Sequence, residues 1–185
     1  MEDKHGPDSL HDTGHPESFQ LRDGRAMVIR RIRPDDAPRL QALHDRLSDR
    51  TRRLRFFTRL KRLDAGFAGR LATVDFVKRA AFAASFPEDD AIWAVGRYEI
   101  EPSGDAEIAF VVHDDLQGQG LGSELLHHLA QLARTNRIPR FTATTLAENA
   151  EMLDVFRNCG LPCTVRFHGD TASVELDLGD RAAGD

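Results

Sequence analysis

Phe110-Val111-Val112 leads through His113-Asp114-Asp115-Leu116 into Gln117-Gly118-Gln119-Gly120-Leu121-Gly122-Ser123. An apolar strand therefore enters a turn with three glycines, and that turn opens a helix expected over Gly120 to Thr135. Leu121, Leu125, Leu129 and Leu132 fall on one face of that helix. The unpaired N–H groups of a helix start, together with its dipole, favour an anion. Glycines there remove Cβ atoms and let the backbone approach a phosphate closely.

Two familiar phosphate-binding patterns do not fit. A P-loop needs a lysine followed by Ser or Thr, which this turn lacks. A dinucleotide fingerprint needs a third glycine where Ser123 stands, and an acidic residue ~20 positions on. That region reads Phe141-Thr142-Ala143-Thr144. The turn also follows four expected strands, whereas the fingerprint sits in a first βαβ unit.

The rest of the chain reads as one mixed α/β domain. Met27 to Ile32 is a β-branched strand, and Pro34-Asp35-Asp36 carries helix-start chemistry. Leu40, Leu43, Leu47 and Leu54 recur at helical spacing, giving one or two helices, and Ala65 to Val74 gives another. Ala80 to Phe86, Ile92 to Ile100 and Glu107 to Val112 are short strands joined by hairpin-type connections. Phe141 to Thr145 is a strand, Ala150 to Asn158 a helix closed by Gly160, and Val165 to Phe167 with Ala172 to Leu176 a final hairpin.

Gln117-x-x-Gly120-x-Gly122 resembles the Gln/Arg-x-x-Gly-x-Gly/Ala signature of the GNAT superfamily of acyltransferases. Asn149, Met152, Phe156, Gly160 and Leu161 are similar to its second segment, and Ile29 to Pro34 with Asp36 to its opening. The resemblance spans roughly residues 26–178. Leu54-Arg55-Phe56-Phe57 and Ala106-Glu107-Ile108-Ala109-Phe110 further resemble the catalytic domain of bacterial Pat-type protein lysine acetyltransferases. The resemblance implies a mostly antiparallel sheet of about seven strands flanked by about four helices. It also implies acetyl-CoA as cosubstrate and transfer to a primary amine, with a protein lysine as first choice of acceptor.

On that resemblance, Phe110, Val111 and Val112 would lie along the pantetheine arm. Gln117, Gly118, Gln119, Gly120, Leu121, Gly122 and Ser123 would form the phosphate turn, and Asn149 would support the cofactor from the next strand end. Asn149 is equally a helix N-cap by its residue type. An amine with pKa ~10.4 must lose a proton before attack. Glu107, heading the apolar strand, is the expected base, with desolvation expected to raise its pKa; Glu99, Glu101 and Glu148 are alternatives. Phe156 stands where many relatives have a tyrosine acid, so the acid is unassigned. A non-catalytic acyl-CoA-binding or sensory domain, or a small-molecule amine acetyltransferase, stays open.

Residues 1–22 have no apolar period and are expected to be a tail before a domain over 23–180, with 181–185 a C-terminal tail. His113 is expected to be an exposed loop residue, and His127 and His128 to diverge. Two cysteines, Cys159 and Cys163, are too few for a disulfide framework and lack the partner spacing of a zinc site. The basic run Arg46, Arg50, Arg52, Arg53, Arg55, Arg59, Lys61, Arg62 reads first as a solvated helix face. A net charge of −5 does not suggest a nucleic-acid binder. No apolar run approaches the ~20 residues of a membrane span, and no secretory signal is visible. No metal is expected, and a cytoplasmic protein is.

Overall fold

The computed structural model describes residues 16–56 and 62–179. The first fifteen residues, Phe57, Arg59, Lys61 and the expected C-terminal tail lie outside the described residues. The elements run β1 (Glu17–Gln20), β2 (Ala26–Arg31), α1 (Ala37–Arg46), α2 (Asp49–Phe56), α3 (Ala65–Ala72), β3 (Arg79–Ser85), β4 (Ala94–Ile100) and β5 (Ala106–Val112). They continue with α4 (Leu121–Thr135), β6 (Arg140–Leu146), α5 (Ala150–Arg157), β7 (Cys163–His168) and β8 (Thr171–Asp177). The fold is mixed α/β, with one strand and one helix more than expected.

The strands form a single sheet in the order β1-β2-β3-β4-β5-β6-β8-β7. Every neighbouring pair is antiparallel except β5 and β6. The added strand corrects the expected tail boundary. Glu17–Gln20 pairs with β2, from Glu17 opposite Ile29 to Gln20 opposite Ala26, and Leu21 is buried. Its residues sit on an outer edge and are mostly exposed, so no burial selects an alternating apolar pattern.

Helices cover both faces. Ala80, Phe82 and Ala84 of β3 join the core beneath α4 and α5, while Ala81 and Ala83 join a second core with Leu40, Leu43, Leu47, Ala68 and Ala72 of the α1–α3 layer. Because both faces of β3 are covered, its centre is a continuous apolar run instead of an alternating one. Gly96 sets how closely α4 approaches β4: a Cβ there would lie 2.9 Å from Phe110 Cε1 and 3.0 Å from Leu125 Cβ. Any side chain at that position would push the helix off the sheet.

The start of α1 is fixed by a buried ion pair. Asp36, fully buried, accepts both guanidinium arms of Arg30 at 2.7 and 2.8 Å and the Arg33 N–H at 2.8 Å. Burial pushes the Asp36 carboxyl up, but the Arg30 pair and the Arg33 N–H outweigh it and hold it below the ordinary range. Tyr98, the chain's single tyrosine, is buried; its hydroxyl donates to Val77 O and accepts from Asn136 Nδ2.

Candidate active site

The parallel pair β5 and β6 holds register only at Ala106 opposite Phe141 and Glu107 opposite Thr142. Beyond those pairs the strands separate. Ile108 to Val112 on one side and Ala143 to Thr145 on the other line a cleft of about 560 Å³. The β6-facing edge of β5 thus has no strand partner along the cleft, and its backbone polar groups, apart from the Val112 carbonyl that accepts from Gln117 Nε2, are open to a ligand. Such an edge can pair with amide groups of an extended molecule, as a further strand would.

At the C-terminal end of β5 the chain makes a 3₁₀ turn, Asp114–Leu116, and then the glycine turn. Gly118 and Gly120 have φ of +73° and +95°, values side-chain-bearing residues rarely adopt. The reversal leaves the N–H groups of Gly118 to Ser123 without an acceptor among the described residues, the first intrahelical bond running from Glu124 N–H to Gly120 O. Those of Gly118 and of Gly120 to Ser123, which border the cleft at the start of a helix of 15 residues, make an anion cradle. Arg22 also lines the cleft and donates to Gly118 O at 3.0 Å, adding a fixed cation beside the cradle. Sequence reasoning missed Arg22 because it placed the residue in a tail.

Of the expected cofactor-binding residues, Phe110, Val111, Val112, Gln117, Gly118, Gly120, Leu121, Gly122, Ser123 and Asn149 all border this cleft. Gln119 does not. Its carbonyl accepts the Arg22 N–H at 3.3 Å and its side chain accepts the Asp23 N–H at 3.1 Å, so it faces the N-terminal hairpin. The Phe110 and Leu121 side chains are buried in the core, leaving their backbones as the groups near the cleft. Asn149 caps α5: Oδ1 accepts the Met152 N–H at 3.3 Å, and Nδ2 donates to Thr145 Oγ1 at 3.1 Å. Phe156 is buried against Phe110, with ring centroids 6.2 Å apart, and also borders the cleft.

Glu107 and Glu99 face each other across β5 and β4 and both border the cleft. Glu107 is exposed. Glu101 accepts from Thr142 Oγ1 and Glu148 from Arg53, and neither borders the cleft. His113 is buried instead of exposed; its Nδ1 accepts the Asp115 N–H and its ring meets Trp93 edge-on at 4.9 Å. His128 is buried against Phe82 while His127 is exposed. Cys159 donates its thiol to Phe156 O at the end of α5.

The basic run divides by environment. Arg46 lies over Trp93 and donates to Ile92 O, Arg52 donates to His44 O and Asp45 O, and Arg53 pairs with Glu148 at 2.6 Å. Arg55 turns into the cleft, where it meets Arg97 of β4. Burial, then the positive charge of Arg97, push the Arg55 guanidinium down to about 10, while Glu107 opposes the shift. Arg97 is also lowered, by burial first, with Glu99 opposing. Its strand position gave no sign of this meeting.

A family model described as an acetyltransferase (GNAT) domain matches residues 26–162. An acetyltransferase of Pseudomonas aeruginosa is 34% identical over 152 residues, covering 80% of this chain and 78% of that protein. The GNAT domain of S. lividans Pat superposes with a TM-score of 0.79 at 34% identity, over 88% of this chain and 96% of that one. A cAMP-binding acyltransferase from Mycobacterium smegmatis shares the fold at 24% identity and a TM-score of 0.61; the match covers 89% of this chain and 48% of that longer chain. A putative acetyltransferase from Salmonella typhimurium, solved with acetyl-CoA, shares it at 18% identity and 0.66, over 86% and 98%. With a separated β5–β6 pair and a glycine cradle between them, this chain belongs to the GNAT acetyltransferase family.

Proposed function

We propose that the protein transfers the acetyl group of acetyl-CoA to a primary amine, with a protein lysine as acceptor and Glu107 as the base. The observation that carries this reading is the placement of the free N–H groups of Gly118 and of Gly120 to Ser123, the open edge of β5 and Glu107 along one cleft. The cradle from Gly118 to Ser123 with Arg22 fits a diphosphate, and the edge of Ile108 to Val112 fits the amides of a pantetheine arm. Acetyl-CoA supplies an acyl group activated as a thioester. Glu107 lies at the far end of β5 from the cradle and takes the proton of the incoming ammonium, directly or through water. The likeness to the S. lividans Pat domain supports a lysine acceptor.

The acid that meets the leaving sulfur has no tyrosine candidate, since Tyr98 is buried outside the cleft and Phe156 has no proton to give. The test is acetyl-CoA incubation with a lysine-bearing protein and matched peptides, read by intact mass. A mass gain on lysine that requires the wild-type protein supports the reading. A wild-type protein whose melting temperature acetyl-CoA leaves unchanged overturns it.

A further inference from the structure

Arg55 from α2 and Arg97 from β4 converge on one region of the cleft, and both also border a small apolar space with Val95, Ala109 and Val111. Arg55 lies over the Phe56 ring, 5.0 Å from its centroid. Neither guanidinium has a hydrogen bond or ion pair among the described residues. The other arginines of α2 lack this combination: Arg52 and Arg53 have partners, and Arg50 is exposed. Two half-buried guanidiniums facing the same space repel each other and present free donors to it, an arrangement that an anion between them relieves.

The phosphates of the cosubstrate are not that anion. Arg97 stands opposite Ala109, three residues before Val112. Three strand residues span ~10 Å, and the free N–H groups begin only beyond the following turn. The pair therefore sits at the acceptor end, beside Glu99 and Glu107, which oppose each other across β4 and β5. Neither glutamate forms an ion pair with Arg55 or Arg97.

We infer that the acceptor carries a carboxylate, which Arg55 and Arg97 bind while its amino group faces Glu107. This rests on the transfer reading above. The planar fork of each guanidinium matches a carboxylate's two oxygens. Arg97 and Glu99 are two residues apart on one face of β4, about 7 Å along the strand. That spacing suits a carboxylate several bonds from the amine, as in free lysine reacting at its ε-amine or in a peptide lysine beside an acidic side chain. The two cations also disfavour an ammonium near them, which helps the amine shed its proton.

The test uses two substrate series with the full chain and saturating acetyl-CoA. One compares free lysine with lysinamide; the other compares lysine peptides flanked by Glu with the same peptides flanked by Gln. The carboxylate member is expected to have a KM lower by about tenfold or more in one series, and the series that shows it identifies the source. Arg97→Gln and Arg55→Gln are each expected to abolish the preference while leaving the thermal shift with acetyl-CoA intact. Equal turnover of carboxylate and amide members by wild type overturns this inference alone and leaves the transfer reading standing. So does a preference that survives both substitutions. Failure of every amine in both series overturns the transfer reading and this inference with it.

Discussion

Gln117 Nε2 donates to Thr51 Oγ1 at 3.0 Å, linking the residue that begins the glycine turn to the first turn of α2. Thr51 is buried, and its hydroxyl in turn donates to Asp114 Oδ1 at 2.7 Å. Asp114 also accepts Ser48 Oγ at 2.5 Å and the Ser48 N–H at 2.9 Å. Burial raises the Asp114 carboxyl, but the bonds from Ser48 and Thr51 outweigh it and hold it below its ordinary value. Gln117 further donates to Val112 O at 3.1 Å. One polar network therefore fixes the cradle relative to the helix that carries Arg55.

Thr51→Val keeps the side chain's shape and removes its hydroxyl. The Gln117 amide and the Asp114 carboxylate each lose a partner, so stability is expected to fall by about 1–3 kcal/mol. Urea unfolding measures this. Acetyl-CoA affinity is expected to weaken too, because the cradle loses its tie to α2. An unchanged affinity with the expected stability loss would show that the turn holds its shape without Thr51.

Gly120→Val is expected to abolish the acetyl-CoA thermal shift. At φ +95° a β-branched residue is strained, and its Cβ would lie 3.3 Å from Phe19 Cζ. At ~100 times its dissociation constant, acetyl-CoA stabilises the wild type by about 2.7 kcal/mol, which gives the scale of the missing shift. A wild-type-sized shift in the variant would place the phosphates elsewhere.

Arg22→Ala removes the cation beside the cradle and its bond to Gly118 O. Acetyl-CoA affinity is expected to drop by about tenfold, on the scale of one charge-assisted hydrogen bond. Calorimetric titration at low and high salt checks it, since a charge contact should weaken as salt rises.

Glu107→Gln preserves side-chain size and removes the ability to take a proton at neutral pH. Its kcat is expected to fall by roughly 10²- to 10⁴-fold with acetyl-CoA affinity nearly unchanged. Near-wild-type turnover by a folded variant would move the base to Glu99, the other glutamate of this strand pair that borders the cleft.

Asp36 sets an acid limit on stability. Its carboxyl is lower in the folded chain than the unfolded value near 3.9, so its contribution is complete above about pH 4. It is lost progressively as pH falls through the depressed folded value. Asp36→Asn is expected to cost about 1–3 kcal/mol at pH 7 by leaving the half-buried Arg30 without its counter-charge. The variant should also show a shallower stability loss below pH 4 in urea midpoints measured across pH.

What the sequence determined by itself was local. Left-handed φ values admit glycine far more readily than other residues, so Gly118 and Gly120 announced the turn. The leucine spacing announced α4 because burial of one helix face repeats every three to four residues. Asn149 signalled both a cap and a place near the cleft, and it caps α5 in the cleft wall. The tertiary structure decided what depends on separate segments meeting. The exposed, edge-lying β1 has no burial to impress a pattern on its residues, so Glu17–Gln20 read as tail. Gln119 turned toward Arg22 and Asp23 because the N-terminal hairpin docks there. Arg55 belonged to a run of basic residues indistinguishable by type, until packing of α2 against β5 and β6 brought it to the cleft that Arg97 also lines. Charge is written in the sequence, but the water withdrawn from it and the charges brought near it are properties of the fold.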